Sequence, residues 1–316
     1  MAYLKPRLLD PLHITGIDWE SNQKGINVGG WGIRVKTEDM AKLGLLYLNK
    51  GKFEGKQILP AAWVEEATSK HIDQEPEAAA EKRTSGQYAD WIQGYGYQFW
   101  RSRHGSFRGD GAFGQYILMM PEQDAVLIIT SESQDLPDDL NQVWENLLPA
   151  FQTKSLAPNP KALAKLTQFN ASRNIEVPVS AVPNQAIYHT VVLEKNAFDF
   201  TKMDIKSKGD AAELMITTKD STQHTFQLGY KTWGIGKSNL VGPYMLRAAH
   251  VDLAQKAPFD YAGSYRWIDE KTLEITLRYF ESPHHWTLIW KPESLEVINS
   301  FEPKVKIALK RLNSGL

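Results

Sequence analysis

The chain has 316 residues, 42% of them hydrophobic, with 36 Lys and Arg set against 37 Asp and Glu. This length exceeds one ordinary domain and suffices for two cores, while a formal net charge of −1 gives no field to gather nucleic acid or an anionic membrane surface. The absence of cysteine excludes disulfides, thiolate metal sites and a cysteine nucleophile together.

Met1 to Arg7 are not followed by an apolar run of signal-peptide length. No stretch approaches the roughly 20 apolar residues of a membrane span, so the sequence predicts a soluble chain without a visible address. The first helix is expected to be capped at Thr37, with Glu38 and Asp39 in its first turn, where acids suit the dipole. Met40, Leu43, Leu46 and Tyr47 share its apolar face and Gly51 stops it. A second helix starts near Pro60, carries Trp63, Val64 and Ala67, and ends near Lys70. Residues 73–87 are polar and Ala/Glu-rich, an exposed loop or short helix.

Three strands are expected next: Tyr95 to Arg101, Gly114 to Met120, and Ala125 to Thr130, the last a continuous apolar run suited to a strand buried on both faces. Pro121 to Asp124 makes a tight turn, so these strands form an antiparallel meander. An amphipathic helix over Asp138 to Phe151 places Leu140, Val143, Trp144 and Leu147 on one face. A Pro-containing linker, Ser155 to Pro160, separates a first part, 1–153, from a β-rich second part, 160–316. There, after a short helix from Pro160 to Phe169, strands are expected at Ile187 to Leu193, Leu214 to Thr218, His224 to Tyr230, Leu273 to Tyr279 and Trp286 to Trp290. Alternation with one apolar face in the last two suggests a small barrel or sandwich. The fold class is therefore α+β: an antiparallel sheet packed with helices, followed by a small all-β domain. Trp233, Trp267, Trp286 and Trp290 belong to the β-rich core, or else to an apolar or sugar-stacking pocket.

The run Gly29-Gly30-Trp31-Gly32-Ile33-Arg34, then Thr37-Glu38-Asp39-Met40-Ala41-Lys42-Leu43-Gly44, and later Gly94 to Trp100 and Arg108 to Gln115, resemble the serine β-lactamase-related and penicillin-binding-protein-like hydrolases. That family holds class C β-lactamases, D-Ala-D-Ala carboxypeptidases, esterases and amide-oligomer hydrolases, and the likeness covers roughly residues 3 to 150. A weaker one, on Phe259 to Trp267 and Pro283-His284, is similar to a lipocalin-like domain that follows some of these enzymes. The resemblance implies an acyl hydrolase, acting on an ester, amide or peptide-like small molecule without a cofactor. Bacterial members are often secreted or periplasmic.

Its chemistry requires a Ser-x-x-Lys nucleophile, a Tyr-x-Asn proton-transfer loop and a substrate-binding triplet on a strand. The first two are expected upstream of Tyr3 to Leu12, so residues 1–153 are expected to be the C-terminal portion of such a domain. That portion is expected to be inactive alone, and either completed by an N-terminal half or covered by self-association. Ser21-Asn22-Gln23-Lys24 fits the first pattern but lies in a polar loop. Tyr47-Leu48-Asn49 fits the second, but Tyr47 sits on an apolar helix face. Ser21, Lys24 and Tyr47 are therefore read as decoys. The third motif maps to the substrate-binding candidates Arg108, Gly109, Asp110, Gly111, Gly114 and Gln115. With no Lys or His there, Arg108 is the available cation and Asp110 offsets it, which favours an ester or amide substrate over a β-lactam. The competing reading is a non-catalytic binding module using the β-rich domain or an exposed sheet edge. His284 and His285, adjacent on a strand, face opposite ways and make no joint metal site. No Gly-x-Ser-x-Gly, Walker or dinucleotide pattern occurs.

Overall fold

The computed structural model describes residues 1–77, 79–242, 257–299 and 302–309. It divides into two compact units, Met1–Pro158 and Asn159–Leu316. Parts of the expected β-rich region, 243–256 and 310–316, lie outside the described residues.

The first unit opens with a π-helical turn, Lys5–Leu9, whose Leu9 packs with Leu12, Ile14 and Leu46. Two short ladders flank the first helix, β1 (Asp18–Trp19) with β2 (Ile33–Arg34) and β3 (Lys52–Phe53) with β4 (Lys56–Gln57). Helix α1 spans Thr37–Leu48, so the capping position falls on Lys36 rather than Thr37, and no side chain caps it. It ends as expected at Gly51, which takes φ +81° and donates its amide to the Leu46 carbonyl at 2.7 Å. Helix α2 (Ala61–Thr68) stops two residues earlier than the sequence suggests, and a short α3 (Ala80–Ser85) lies in the polar stretch.

The sheet of this unit runs in the order β5 (Trp100–Arg101), β6 (Phe107–Gly111), β7 (Gln115–Met120), β8 (Ala125–Ile129), all antiparallel. The strand expected over Tyr95 to Arg101 shrinks to two residues. Gly96 approaches the chain of α2 so closely that a Cβ would stand 2.3 Å from the Ala67 carbonyl, and Gln98 is left-handed at φ +64°. β6 was not expected as a separate strand. Helix α1 lies on one face of the sheet at Gly44, where a Cβ would meet Val126 Cγ1 at 2.4 Å. On the other face Tyr116, Leu118 and Met120 pack with Leu140, Val143 and Trp144. Those last residues belong to α4 (Leu136–Gln142) and the π-helical turn Val143–Leu147. α4 starts two residues before the expected point because Asp135 accepts the Asp138 amide at 3.1 Å and Pro137 sits in its first turn. β8 is the edge strand. Contrary to the expectation of full burial, all five of its residues are only half-buried: helices cover its faces while, among the described residues, its outer side pairs with no strand.

The second unit begins with α5 (Pro160–Ser172), exposed along its whole length. Its strands are β9 (Tyr188–Val192), β10 (Phe200–Lys208), β11 (Ala211–Thr218), β12 (Gln223–Tyr230), β13 (Gly234–Ser238), β14 (Phe259–Asp269), β15 (Thr272–Tyr279), β16 (His285–Lys291), β17 (Ser294–Asn299) and β18 (Glu302–Ala308). They form one curled sheet, antiparallel except where β12 meets β14, with β13 branching from β14. Its two ends meet where Leu193 bridges Leu309. The alternation expected of β15 and β16 holds: Leu273, Ile275, Leu277 and Tyr279 are buried, as are Trp286, Leu288 and Trp290. With Trp267 they fill the interior in one aromatic and aliphatic core, while Trp233 is half-buried and donates to the Ile175 carbonyl. Among the described residues no helix is long and apolar enough to cross a membrane.

Candidate functional site

The strand pair β6–β7 carries the sequence-predicted candidates. Gly111 pairs with Gln115 and the chain reverses through 112–114, so the six residues straddle a hairpin rather than open a single strand. The turn is tied down from β8's far end. Ser131 donates its hydroxyl to the carbonyls of Phe113 at 2.9 Å and Gly114 at 2.8 Å, Gln115 Nε2 donates to the Ser131 carbonyl at 2.6 Å, and the Ser133 amide donates to Phe113. Gly114 is at φ +80°, where a Cβ would stand 2.1 Å from Ser131 Oγ and 2.6 Å from Asp139 Oδ2. Only glycine fits there. Burial pushes the Asp139 carboxyl up, against a hydrogen bond from Ser133.

Arg108, expected as the available cation, lies inside the unit. It is wholly buried, with its guanidinium carbon 4.6 Å from the Trp91 ring centroid and 5.7 Å from that of Trp100. Nε donates to Asp110 Oδ2 at 2.9 Å, and Nη2 lies 2.8 Å from the same oxygen. Nη1 donates to the Asp90 carbonyl at 2.9 Å and to Ser102 Oγ at 2.5 Å. A cation enclosed in this way presents no donor to a ligand outside. Desolvation raises the Asp110 carboxyl although Arg108 and Trp91 pull it down, which marks a buried structural pair.

Behind this pair lies a second polar centre that the sequence reading missed. Asp90, 2% exposed, accepts the Arg103 amide at 2.9 Å, Arg103 Nε at 3.0 Å and Nη2 at 2.8 Å, and Trp144 Nε1 at 3.0 Å. Arg103 Nη2 also donates to Asn141 at 2.6 Å. The signal was a single acid inside the apolar run Ala89-Asp90-Trp91-Ile92.

The remaining candidates separate cleanly. Ser21 bridges Asn27 in a turn where Asn22 Oδ1 accepts the amides of Lys24 and Ile26, and Lys24 is exposed. Tyr47 packs on Phe99 with ring centroids 4.6 Å apart, and burial pushes its phenol up. Ser131 and Ser106, near the hairpin, donate to backbone, to Phe113 at 2.9 Å and to Arg103 at 2.6 Å, whereas a nucleophilic hydroxyl gives its proton to a base. Ser133 differs from them, because its side chain hydrogen-bonds the Asp139 carboxyl. What remains accessible is backbone. Along β6, β5 pairs with Phe107 and Arg108 and goes no further, so Gly109, Asp110 and Gly111 pair with β7 on one side and, among the described residues, with no strand on the other. A Cβ on Gly109 would meet nothing nearer than Ile117 Cβ at 3.9 Å. This half-buried edge can hydrogen-bond an extended ligand backbone at close range. Among the described residues no three His, Asp or Glu side chains are grouped as a metal site.

No family model matches this sequence, and no curated protein matches it. Among solved structures, the chain is similar to a putative 6-aminohexanoate-dimer hydrolase from Bacillus anthracis. The identity is 21% over 46% of this chain and 36% of that one, with a TM-score of 0.33. It is also similar to an octameric penicillin-binding protein homologue from Pyrococcus abyssi, with 14% identity over 97% of this chain and 59% of that one, and a TM-score of 0.33. The aligned chain thus spans 36% and 59% of these two proteins, and at these TM-scores neither likeness assigns an activity.

Proposed function

We propose that the first unit forms one wall of the cleft of a serine acyl hydrolase of the β-lactamase and penicillin-binding-protein type, acting on an ester or amide. In this reading Gly109–Gly111 hold the substrate's extended backbone, and the Gly114–Gln115 turn, clamped by Ser131, keeps that edge rigid. The observation that carries it is the glycine-containing edge of β6 that pairs with no strand among the described residues, with open space at Gly109. The ordered motifs from Gly29 to Gln115 supply the family. Ser21–Lys24, whose turn is polar and exposed, is not assigned as nucleophile and amine partner. Incubating the chain with a fluorophosphonate and with a fluorescent penicillin, read by intact mass, tests this: no stoichiometric adduct is expected. An adduct mapped to Ser21 would overturn the assignment.

A second reading is favoured by β8. Its sequence, Ala125-Val126-Leu127-Ile128-Ile129, has no charge, proline or bulge to protect an open edge. We infer that this edge associates, either with a second copy or with a polypeptide completing the sheet. Sedimentation of the chain over a hundredfold concentration range is expected to show mass rising with concentration. Ile128→Lys is expected to shift the distribution toward monomer. A parent chain that stays monomeric throughout contradicts the inference.

A further inference from the structure

At one end of the curled sheet in the second unit is a cavity of about 890 Å³, within the roughly 300–1,000 Å³ of small-molecule sites. It does not continue along the sheet's axis, because Ile275, Leu277, Leu288 and Val297 fill the interior with at most 1% exposure each. A ligand therefore sits at the end, in the position barrel mouths offer.

Two turns shape the rim, and side-chain hydrogen bonds hold both. In the first, Asn196 Oδ1 accepts the amides of Phe198 at 3.1 Å and Phe200 at 3.3 Å, and its Nδ2 donates to the carbonyls of Glu194 at 2.8 Å and Phe200 at 2.7 Å. Asp199 between them is left-handed at φ +54°, a strained conformation of the sort that gathers at ligand sites. In the second, Asp220 accepts Thr218 Oγ1 at 2.6 Å and Thr222 Oγ1 at 2.9 Å, along with the Thr222 amide. The Thr218 hydroxyl, followed by the Thr222 groups, pulls the Asp220 carboxyl down to about 2. A rim fixed in this way loses little entropy when a ligand enters.

The lining mixes apolar and polar side chains. Phe198, half-buried, stands on Trp286 at 6.1 Å and beside Phe200 at 5.5 Å, and Leu240, Val241 and Val305 add to the apolar surface. The lining also holds the polar side chains Asp199, Lys219, His224 and Asn239. Burial pushes the His224 imidazole down against the opposing charge of Asp220, so it is a neutral donor and acceptor at neutral pH. Among the described lining residues two carboxylates, Asp199 and Asp220, stand against one ammonium, Lys219, which disfavours an anion. Lys219 in the same wall disfavours a cation. We propose that this cavity binds an uncharged amphipathic ligand with an alkyl or aromatic body and a hydroxyl-rich head, the chemistry of an alkyl glycoside. The body lies on Phe198, Val241 and Val305. The hydroxyls take the donors of His224 and Asn239 and the acceptor oxygens of Asp199.

Calorimetric titration of the full chain with octyl glucoside below its micellar concentration tests the assignment, with octyl sulfate and octylammonium as head-group controls. Saturable one-site binding of octyl glucoside is expected, at least fivefold tighter than either charged compound. Phe198→Ala should weaken it at least fivefold, and Val305→Trp, which fills the space from a different strand, should abolish it. Each variant is to be used only if it keeps the parent's thermal transition. Absent saturation, equal or tighter binding of a charged head, or undiminished binding by a folded variant would overturn the proposal.

Discussion

Replacing Asp90 by alanine is expected to lower the stability of the first unit by about 3–5 kcal/mol, the cost of removing one partner of a buried charged pair. Asp90 accepts three bonds from Arg103 and one from the Trp144 indole. Without it, Arg103 keeps the Asn141 side chain and the Thr84 carbonyl, but the buried indole N–H has no acceptor, and the loop at 102–106 is held to Trp144 by the His104 ring contact alone. Urea denaturation followed by tryptophan fluorescence measures this, with the transition of the second unit as an unchanged internal reference. A loss below about 1 kcal/mol would show that the network is incidental.

Arg108→Met is expected to cost a similar amount, about 3–5 kcal/mol at neutral pH, and the cost should depend on pH. In the parent the Asp110 carboxyl is already raised, with burial outweighing Arg108. A carboxyl raised in the folded state binds more protons folded than unfolded. Its favourable contribution is full below the unfolded pKa and is lost as pH rises through the folded one. Removing Arg108 takes away a lowering influence, so the folded pKa climbs further and more stability is lost at neutral pH than in acid. The deficit measured at about pH 7 should therefore shrink at about pH 5. Replacing both residues, as Arg108→Met with Asp110→Leu, should recover most of it, because an apolar pair of similar volume needs no desolvation. A deficit independent of pH, or a double variant as unstable as the single one, contradicts the buried-pair account.

These two networks also mark where the sequence was legible and where it was not. α1 was readable because Leu43, Leu46 and Tyr47 repeat at helical spacing and Gly51 ends the run. β15 and β16 were readable because strict alternation survives on strands with one buried face. β10 was missed: a register shift between Phe200 and Lys202 breaks its period, and Lys202, Lys206 and Lys208 make it look like a surface loop. β8 was recognised as a strand, but its burial was overestimated. Apolar composition reports what covers the two faces and is silent about the side on which hydrogen-bonding partners lie. At the site, Arg108 looked like a surface cation because arginine is rarely buried alone. The sign of its burial was present two residues away, since Arg108 and Asp110 on one strand share a face. Asp90 and Arg103, 13 residues apart, meet only through tertiary structure, and no local pattern pairs them. The unpaired edge at Gly109–Gly111 depends on β5 being two residues long, which follows from the close approach of Gly96 to α2 rather than from strand propensity.

The most direct test of the central claim is a titration of the isotope-labelled chain with an acylated dipeptide amide, followed by amide chemical shifts. The account predicts saturable shifts centred on Gly109, Asp110 and Gly111, with smaller ones at Gly114 and Gln115, abolished by Gly109→Val, which places a branched side chain in the open space beside the edge. Shifts that leave these five amides unmoved while the ligand binds elsewhere, or no saturable shift at any concentration, would contradict the assignment of this hairpin as a substrate wall.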